Sequence, residues 1–529
     1  MFSPRSEMGQ NAATGLAQIA AEELNLDVAD IALALPTTAE IPPVVITSGS
    51  MSMALYSEPV ARAAAGLREV LRRRAAEREG LEPAALADAA GGFALPDGRV
   101  LTYGDIAAGD AVVLDADDLP EAKLYTFEVG RVHRQVGRAV TPFQSREIVT
   151  GAAIFAGDVR LPEMLYGRAL RPPAHAATLA EVDLTRASAL PGVVKIVVDR
   201  EKSFVGVIGE TPGVVDGAVD RIEPSWSVSS RFDRALIERL IDVDAALANG
   251  DLEHAPQGDA MDPEEPWDLD LRFDVQVQSH AQQEPRAAVA RIAEVGGKVL
   301  AEIWTGTQDP FAIQRMAAKE LGLSADRVIV HAMRLGGGFG GREMYEVERD
   351  AVRLALAVGR PVKVQWSRAD EFRAAKNRPS SSHRVRLRAD AAGRLTDWWH
   401  ALVSGHIIFS KARVPGWLRK GAGWFMADLG VARGAVPPYG AARTRVEIGD
   451  VDLPIDLGTW RSLGAAPNTF AIESAIDELA RRRGEDPVDF RLNNIPAENG
   501  RLSACLRKVR VLAERAPLAT GSGHGRGFA

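Results

Sequence analysis

The chain has 529 residues, 46% of them hydrophobic and 25% charged, with a net charge of −8. This is ordinary globular composition, enough for about three or four units at ~150 residues each. The interspersed charges leave neither the basic footprint of a nucleic-acid partner nor a polybasic membrane surface. A lone cysteine, Cys505, excludes a disulfide framework, a cysteine-rich zinc site and an iron–sulfur cluster held by this chain. No apolar run reaches the ~20 residues of a membrane helix. Residues 1–10 carry no apolar signal core and no twin arginine, so cytoplasmic placement is the default reading.

In chain order, residues 12–24, rich in Ala, Leu and Glu, predict a first helix. A second is expected from Ser57 as N-cap, with Pro59 in its first turn, through the arginine-rich stretch near Arg74. After Gly104 the chain reads as loop. Residues 151–199 alternate short apolar runs with turns, at 164–170 and 193–198, as in a small mixed α/β unit. Residues 241–270 read as an acidic linker, since Pro256, Pro263 and Pro266 interrupt any helix. From 273 to 366 strand and helix alternate. Asp309 caps a helix, Pro310 opens it, Gly322 stops it, and Val328-Ile329-Val330 forms a buried strand. Residues 470–483 are amphipathic, and Asp486-Pro487 starts another short helix. The class is α/β (α+β), in several domains.

The sharpest local feature follows the strand at 328–330: Gly336-Gly337-Gly338-Phe339-Gly340-Gly341-Arg342-Glu343. Five glycines in six positions remove the Cβ atoms that would hold a ligand away, leaving N–H groups to face an oxyanion, a phosphate or a metal-oxo group. The stretch also satisfies G-x-G-x-x-G. A dinucleotide site needs an acid ~20 residues later, where this chain is apolar (354–358), so that reading weakens. A glycine-rich turn with no ligand is the plain alternative.

Other stretches join it. Ser6-Glu7-Met8-Gly9-Gln10 precedes Thr14. Asp158-Val159-Arg160-Leu161-Pro162 precedes Leu190-Pro191-Gly192-Val193. Thr305-Gly306-Thr307-Gln308 comes next, then Trp460-Arg461-Ser462-Leu463-Gly464 with Ile476-Asp477-Glu478-Leu479-Ala480. Together and in this order they resemble the molybdopterin-binding large subunits of the xanthine oxidase and aldehyde oxidoreductase family, and within it the isoquinoline 1-oxidoreductase beta chains. The resemblance covers nearly the whole chain. It implies part of a second molybdopterin-binding domain at 1–125, an α/β hammerhead domain at 126–240, and a first molybdopterin-binding domain at 271–529.

What the resemblance implies is a molybdenum hydroxylase component that oxidises an aldehyde or N-heteroaromatic carbon with water as oxygen source. Its cofactor would be molybdopterin, in the cytosine dinucleotide form, carrying molybdenum. Electrons would pass to a small [2Fe-2S] partner subunit. The pterin holds the metal, so no metal-ligating residue is expected from this chain. Gln308 would donate a hydrogen bond to an oxo ligand, with the backbone of Gly338, Phe339 and Gly340 close to the same group. Gly9, Gln10 and the stretch Thr47-Ser48-Gly49-Ser50 would hold the pterin or its tail. Arg461 would stabilise charge developing on the substrate, and Glu343 would orient a ring nitrogen or carbonyl.

Each residue has a plainer reading when taken singly. Gln308 can be the polar residue before a helix cap, Glu343 a first-turn acid, Arg461 a surface arginine, Gln10 a loop residue, and 47–50 a turn. His280, in the stretch leading to Glu284-Pro285, reads as a structural hydrogen bonder. Asn11 stands where the family has glycine, a tolerable change because Asn enters left-handed backbone readily. The family's G-x-G-E loop, which carries the general base, has no late counterpart. Gly209-Glu210 is a poor substitute inside the presumed hammerhead, and the chain stops at Gly525-Arg526-Gly527-Phe528-Ala529. The alternative expectation is therefore a truncated or split member, inactive alone and serving only as a cofactor-binding or assembly piece.

Overall fold

A computed structural model describes the chain except residues 108–119, 175–176, 229–231, 263, 409–428, 516–520, 522, 526 and 529. Arg526 and Ala529 of the final motif therefore lie outside the described residues. The architecture is mixed α/β, built on two main sheets.

The larger sheet has seven strands in the order Val328–Ala332, Lys298–Thr305, Ala287–Val295, Val362–Gln365, Leu165–Ala169, Phe204–Gly209 and Val193–Asp199. Its seam is the parallel pairing of Val362–Gln365 with Leu165–Ala169, which joins two stretches nearly two hundred residues apart into one surface. Gly167 sits on this seam because a Cβ there would lie 2.6 Å from Leu354 and 2.9 Å from Val362. Helix Glu346–Val358 covers the sheet through Val347, Ala351, Leu354 and Ala355, all fully buried against Ile208, Ile303 and Val364.

A second sheet runs Leu269–Val275, Ser381–Ala389, Leu395–Gly405, Arg443–Val451 and Glu253–Gly258. Helix Ala465–Arg483 packs on it with Ile472, Ile476 and Leu479 against Leu387 and Trp398. The stretch 241–270, expected as a linker, contributes structure to this unit. Asp242 accepts hydrogen bonds from the amides of Asp244 and Ala245 and so caps helix Val243–Asn249, which left-handed Gly250 stops. Pro256 is accommodated because Glu253–Gly258 is an edge strand, where a missing N–H costs no ladder bond.

The helix at Ala12–Leu24 lies where the sequence reading puts it, and Asn11 takes φ 58, ψ 30 ahead of it. The second helix differs. It runs Ser52–Glu79, starting before Ser57 and carrying Pro59 inside. Pro59 cannot donate to Leu55, but that turn is exposed and its carbonyl can be hydrated. The Ser57 hydroxyl satisfies the carbonyl of Met53 at 2.6 Å. Helix Pro310–Leu321 is capped by Asp309 Oδ1 on the Ala312 amide and stopped by left-handed Gly322, as read.

Two buried glutamates on the first helix hold the irregular segment that crosses it. Glu22 Oε2 accepts from the amides of Arg134, Gln135 and Val136, and Glu23 from those of Tyr125 and Thr126. Buried Arg68 links Glu23 to the carbonyl of Lys123 and stacks on the Tyr125 ring at 3.8 Å. A Glu22→Ala exchange removes one acceptor from three amides. The expected loss is about 2 kcal/mol of stability, read by urea unfolding, with faster tryptic cleavage at Arg131, Arg134 and Arg138.

Candidate active-site cleft

A cleft of about 730 Å³ opens between the two sheets' loops. Loops from four distant parts of the chain form it: Met8 to Gln10, Ile46 to Ser52, Phe339 to Glu343, and Thr459 to Leu463. Gly9, Gln10, Ser50, Gln308, Phe339, Gly340, Glu343 and Arg461 all line it. Gly338 lies just behind the wall, where a Cβ would sit 2.7 Å from Gln308 Oε1 and 2.9 Å from Met8 Sδ.

Gln308, 3% exposed, joins three of these elements. Its backbone N–H donates to the Arg342 carbonyl at 3.0 Å, and its carbonyl accepts from the Thr47 amide at 2.9 Å. Its Nε2 donates to the Thr47 carbonyl at 2.8 Å, while Oε1 accepts from the Gly340 amide at 3.0 Å. A carbonyl can only accept and an amide N–H only donate, so the orientation of the carboxamide is settled by its partners. One Nε2 hydrogen is left over. The reading of Gln308 as a mere pre-cap residue falls.

The glycines also serve packing. Each absent Cβ makes room for protein atoms. At Gly336 it would lie 2.4 Å from Glu284 Cβ, at Gly340 2.4 Å from the Thr459 carbonyl oxygen, and at Gly341 2.9 Å from His280 Cγ. Close packing of chain on chain is what requires these residues. The helix that follows begins only at Glu346, after a short turn at Gly341–Glu343. The glycines therefore do not form a helix N-terminal phosphate loop. Beneath them Arg342, nearly fully buried, donates to both the carbonyl and the carboxylate of Glu284, whose Oε2 also accepts from the Gly336 amide.

Several lining residues hold left-handed backbone without being glycine: Ser50 (φ 59), Phe339 (φ 56), Ser462 (φ 72) and Leu463 (φ 57). Such conformations cost of order 1–3 kcal/mol each and persist where surroundings enforce them, typically at functional sites. Phe339 is pinned by its carbonyl, which accepts from the Arg461 amide at 2.7 Å.

Glu343 accepts from the Thr459 hydroxyl at 2.6 Å, and His280 Nε2 donates to the Thr459 carbonyl at 2.7 Å, the structural role expected of it. Gln10 closes its own loop, Oε1 on the Met8 amide and Nε2 on the Ser6 carbonyl. The amides of Ser48, Gly49 and Ser50 have no acceptor among the described residues, and Gly49 and Ser50 are both left-handed. They run straight into helix Ser52–Glu79, which no side chain caps. The result is a concave row of N–H groups at the positive end of a helix dipole, suited to an anion. The indole N–H of Trp460, also on the wall, is buried without a partner among the described residues.

Sequence reasoning missed Thr459, the orphaned indole and Arg433, which lines the same wall. No motif marks Arg433. It stands on the turn after Leu429–Ala432, and His400 Nδ1 donates to the Ala435 carbonyl just beyond it. Since that carbonyl only accepts, His400 Nε2 must accept from His383 Nδ1–H at 3.1 Å, and His383 Nε2 from the Ser381 hydroxyl at 2.8 Å. Burial drives both imidazoles below their ordinary value, His383 further through His400 and Arg378.

The comparisons with known proteins point one way. Residues 3–155 and 246–415 match two models, each described as a molybdopterin cofactor-binding domain. The chain belongs to the molybdopterin-binding large subunits of the xanthine oxidase and aldehyde oxidoreductase family. It is 29% identical to one of the subunits of nicotinate dehydrogenase from Pseudomonas putida, over 97% of this chain and 43% of that one. It is 29% identical to the beta chain of isoquinoline 1-oxidoreductase from Brevundimonas diminuta, over 69% of this chain and 47% of that one. It thus spans less than half the length of these curated relatives. Quinoline 2-oxidoreductase from Pseudomonas putida 86 shares the fold at TM-score 0.54 and 20% identity, over 68% of this chain and 50% of that one. Among the described residues no group of three or more His, Cys, Asp or Glu could hold a metal ion, and no helix is long and apolar enough to cross a membrane.

Two outcomes follow. Gln308→Ala strands the Gly340 amide and the Thr47 carbonyl, lowering stability by about 2–4 kcal/mol in urea and exposing the loop after Gly338 to limited proteolysis. Gln308→Glu does likewise, because its carboxylate would face the Thr47 carbonyl. For the histidines the unfolded chain takes up protons below pH ~6.5 that the folded pair resists. Their contribution is complete above that pH and lost as pH falls towards the depressed folded values. The urea midpoint should drop from pH 7 to pH 5, and a His383→Asn/His400→Asn variant, less stable at pH 7, should show a shallower drop.

Proposed function

We propose that this chain is the cofactor-holding part of a molybdenum hydroxylase that oxidises an N-heteroaromatic or aldehyde carbon, using water as oxygen source and passing electrons to a [2Fe-2S] partner subunit. The observation that carries the reading is the convergence of Gln308, the glycine loop, the amide row at 48–50 and Arg461 on one cleft. The names of the two curated relatives, a nicotinate dehydrogenase and an isoquinoline 1-oxidoreductase, favour the heteroaromatic substrate.

The residues suit a molybdopterin. Three unpartnered amides and a helix N-terminus offer a seat for the phosphates of a dinucleotide tail, cytosine on the family resemblance. The spare Nε2 hydrogen of Gln308 and the orphaned Trp460 indole N–H supply donors on the cleft wall. When bound, the molybdenum–pterin group supplies the two-electron oxidation. The protein's part is position and charge. Gln308 holds the loops of Thr47 and Gly340 at fixed separation, so its remaining donor does not reorganise during the reaction. Arg461, anchored through its amide to Phe339, presents a guanidinium to charge developing on the substrate. Glu343, held by Thr459, orients a ring nitrogen or carbonyl.

The test is metal and pterin analysis of the chain purified from its native host with its co-purifying subunits. About one molybdenum and one pterin per chain are expected, with reduction of a dye by an added heteroaromatic or aldehyde; a complex free of both cofactors overturns the reading. In the same preparation Ser50→Asp, which sets a carboxylate among the amides, should cut pterin content about tenfold or more while circular dichroism stays unchanged.

A further inference from the structure

Two arginines stand on the cleft wall. Neither the Arg433 nor the Arg461 guanidinium meets an acceptor among the described residues, although both line the cavity. We propose that Arg433 and Arg461 together seat a carboxylate on the substrate, so that the cleft selects an anionic heteroaromatic or aldehyde over its neutral counterpart. This rests on reading the cleft as the substrate cavity.

Charge comes first. Glu343 is the sole carboxylate among the described cleft-lining residues, and the Thr459 hydroxyl already donates to it. Two guanidiniums against one carboxylate leave a positive wall in a chain whose net charge is −8. A concave site of that sign focuses field lines and raises the local concentration of anions.

Mounting comes second. Asn468 Nδ2 donates to the carbonyls of both Val431 and Arg433, at 3.0 and 2.9 Å. The Gly464 amide donates to the Gly430 carbonyl at 2.8 Å, and a Cβ on Gly464 would fall 2.3 Å from the Val431 carbonyl oxygen. The turn bearing Arg433 is therefore stapled to the segment bearing Arg461, while the Arg461 amide is tied to Phe339. Backbone held in this way has little ordering left to lose when a ligand binds.

Shape comes third. A guanidinium presents a planar fork that matches a carboxylate bidentately. A cofactor phosphate shares the same chemistry, but the amide row at 48–50 already offers a separate anion seat on another loop.

The experiment uses the complex purified from its host, with molybdenum and pterin content measured beside every assay. Equilibrium dialysis with labelled benzoate and benzamide is run on the wild type, Arg433→Gln and Arg433→Lys. The ratio of benzoate to benzamide affinity should fall about tenfold or more in Arg433→Gln and recover partly in Arg433→Lys. The kcat/KM ratio for 4-formylbenzoate over benzaldehyde should fall in parallel. An unchanged ratio overturns the proposal, as does equal weakening of both probes, which marks general damage. Loss of pterin from Arg433→Gln with the ratio preserved also overturns it, assigning the arginine to a cofactor phosphate. A wild type without molybdenum or pterin that still prefers benzoate through Arg433 keeps the seat and removes the hydroxylase reading.

Discussion

One buried carboxamide ties the cleft together. The side chain of Gln308 reaches across 261 residues of sequence to the Thr47 carbonyl with one end and to the Gly340 amide with the other. Neither backbone group is replaceable by water in so confined a place, so the two loops stay in register only while that side chain stays put. Behind it, the buried pair Arg342–Glu284 fixes the far side of the glycine loop, and the Arg342 carbonyl in turn receives the Gln308 backbone amide. The cleft wall is thus held by a circuit of side-chain and main-chain hydrogen bonds.

That circuit explains the glycine run. A Cβ at 336, 338, 340 or 341 would collide with Glu284, Gln308, Thr459 or His280, drawn from three different segments. A string of bare Cα positions lets three pieces of chain come within contact of a fourth. Access for a ligand is supplied elsewhere, by the amides of 48–50 and by the donors that their neighbours leave spare. The left-handed Ser50, Phe339, Ser462 and Leu463 store the local strain that this crowding demands.

Much of this was legible before any coordinates. The caps at Asp309 and Asp486, the helix at 12–24 and the left-handed tolerance of Asn11 all follow from local chemistry. What escaped was non-local. Residues 241–270 looked like a linker because prolines argue against helices, and nothing local says that Glu253–Gly258 will find an edge at Arg443–Val451. Pro59 looked like a helix start because proline suits a helix's first turn, where its missing N–H costs nothing. The packing around the glycines was not legible because composition shows what is missing from a residue, never what occupies the space. Arg433 carries no motif, and only the fold brings it to the same cleft as Arg461.

The parallel seam between Leu165–Ala169 and Val362–Gln365 has a consequence for how the chain is made. Strands Leu165–Ala169, Phe204–Gly209 and Val193–Asp199 leave the ribosome long before the partner that completes their sheet. Synthesis proceeds at ~5–20 residues per second, so this apolar edge stays open for on the order of ten seconds or more. Contacts of such separation form slowly and leave strands free to pair wrongly. A nascent chain of this design depends on being shielded until its second half emerges.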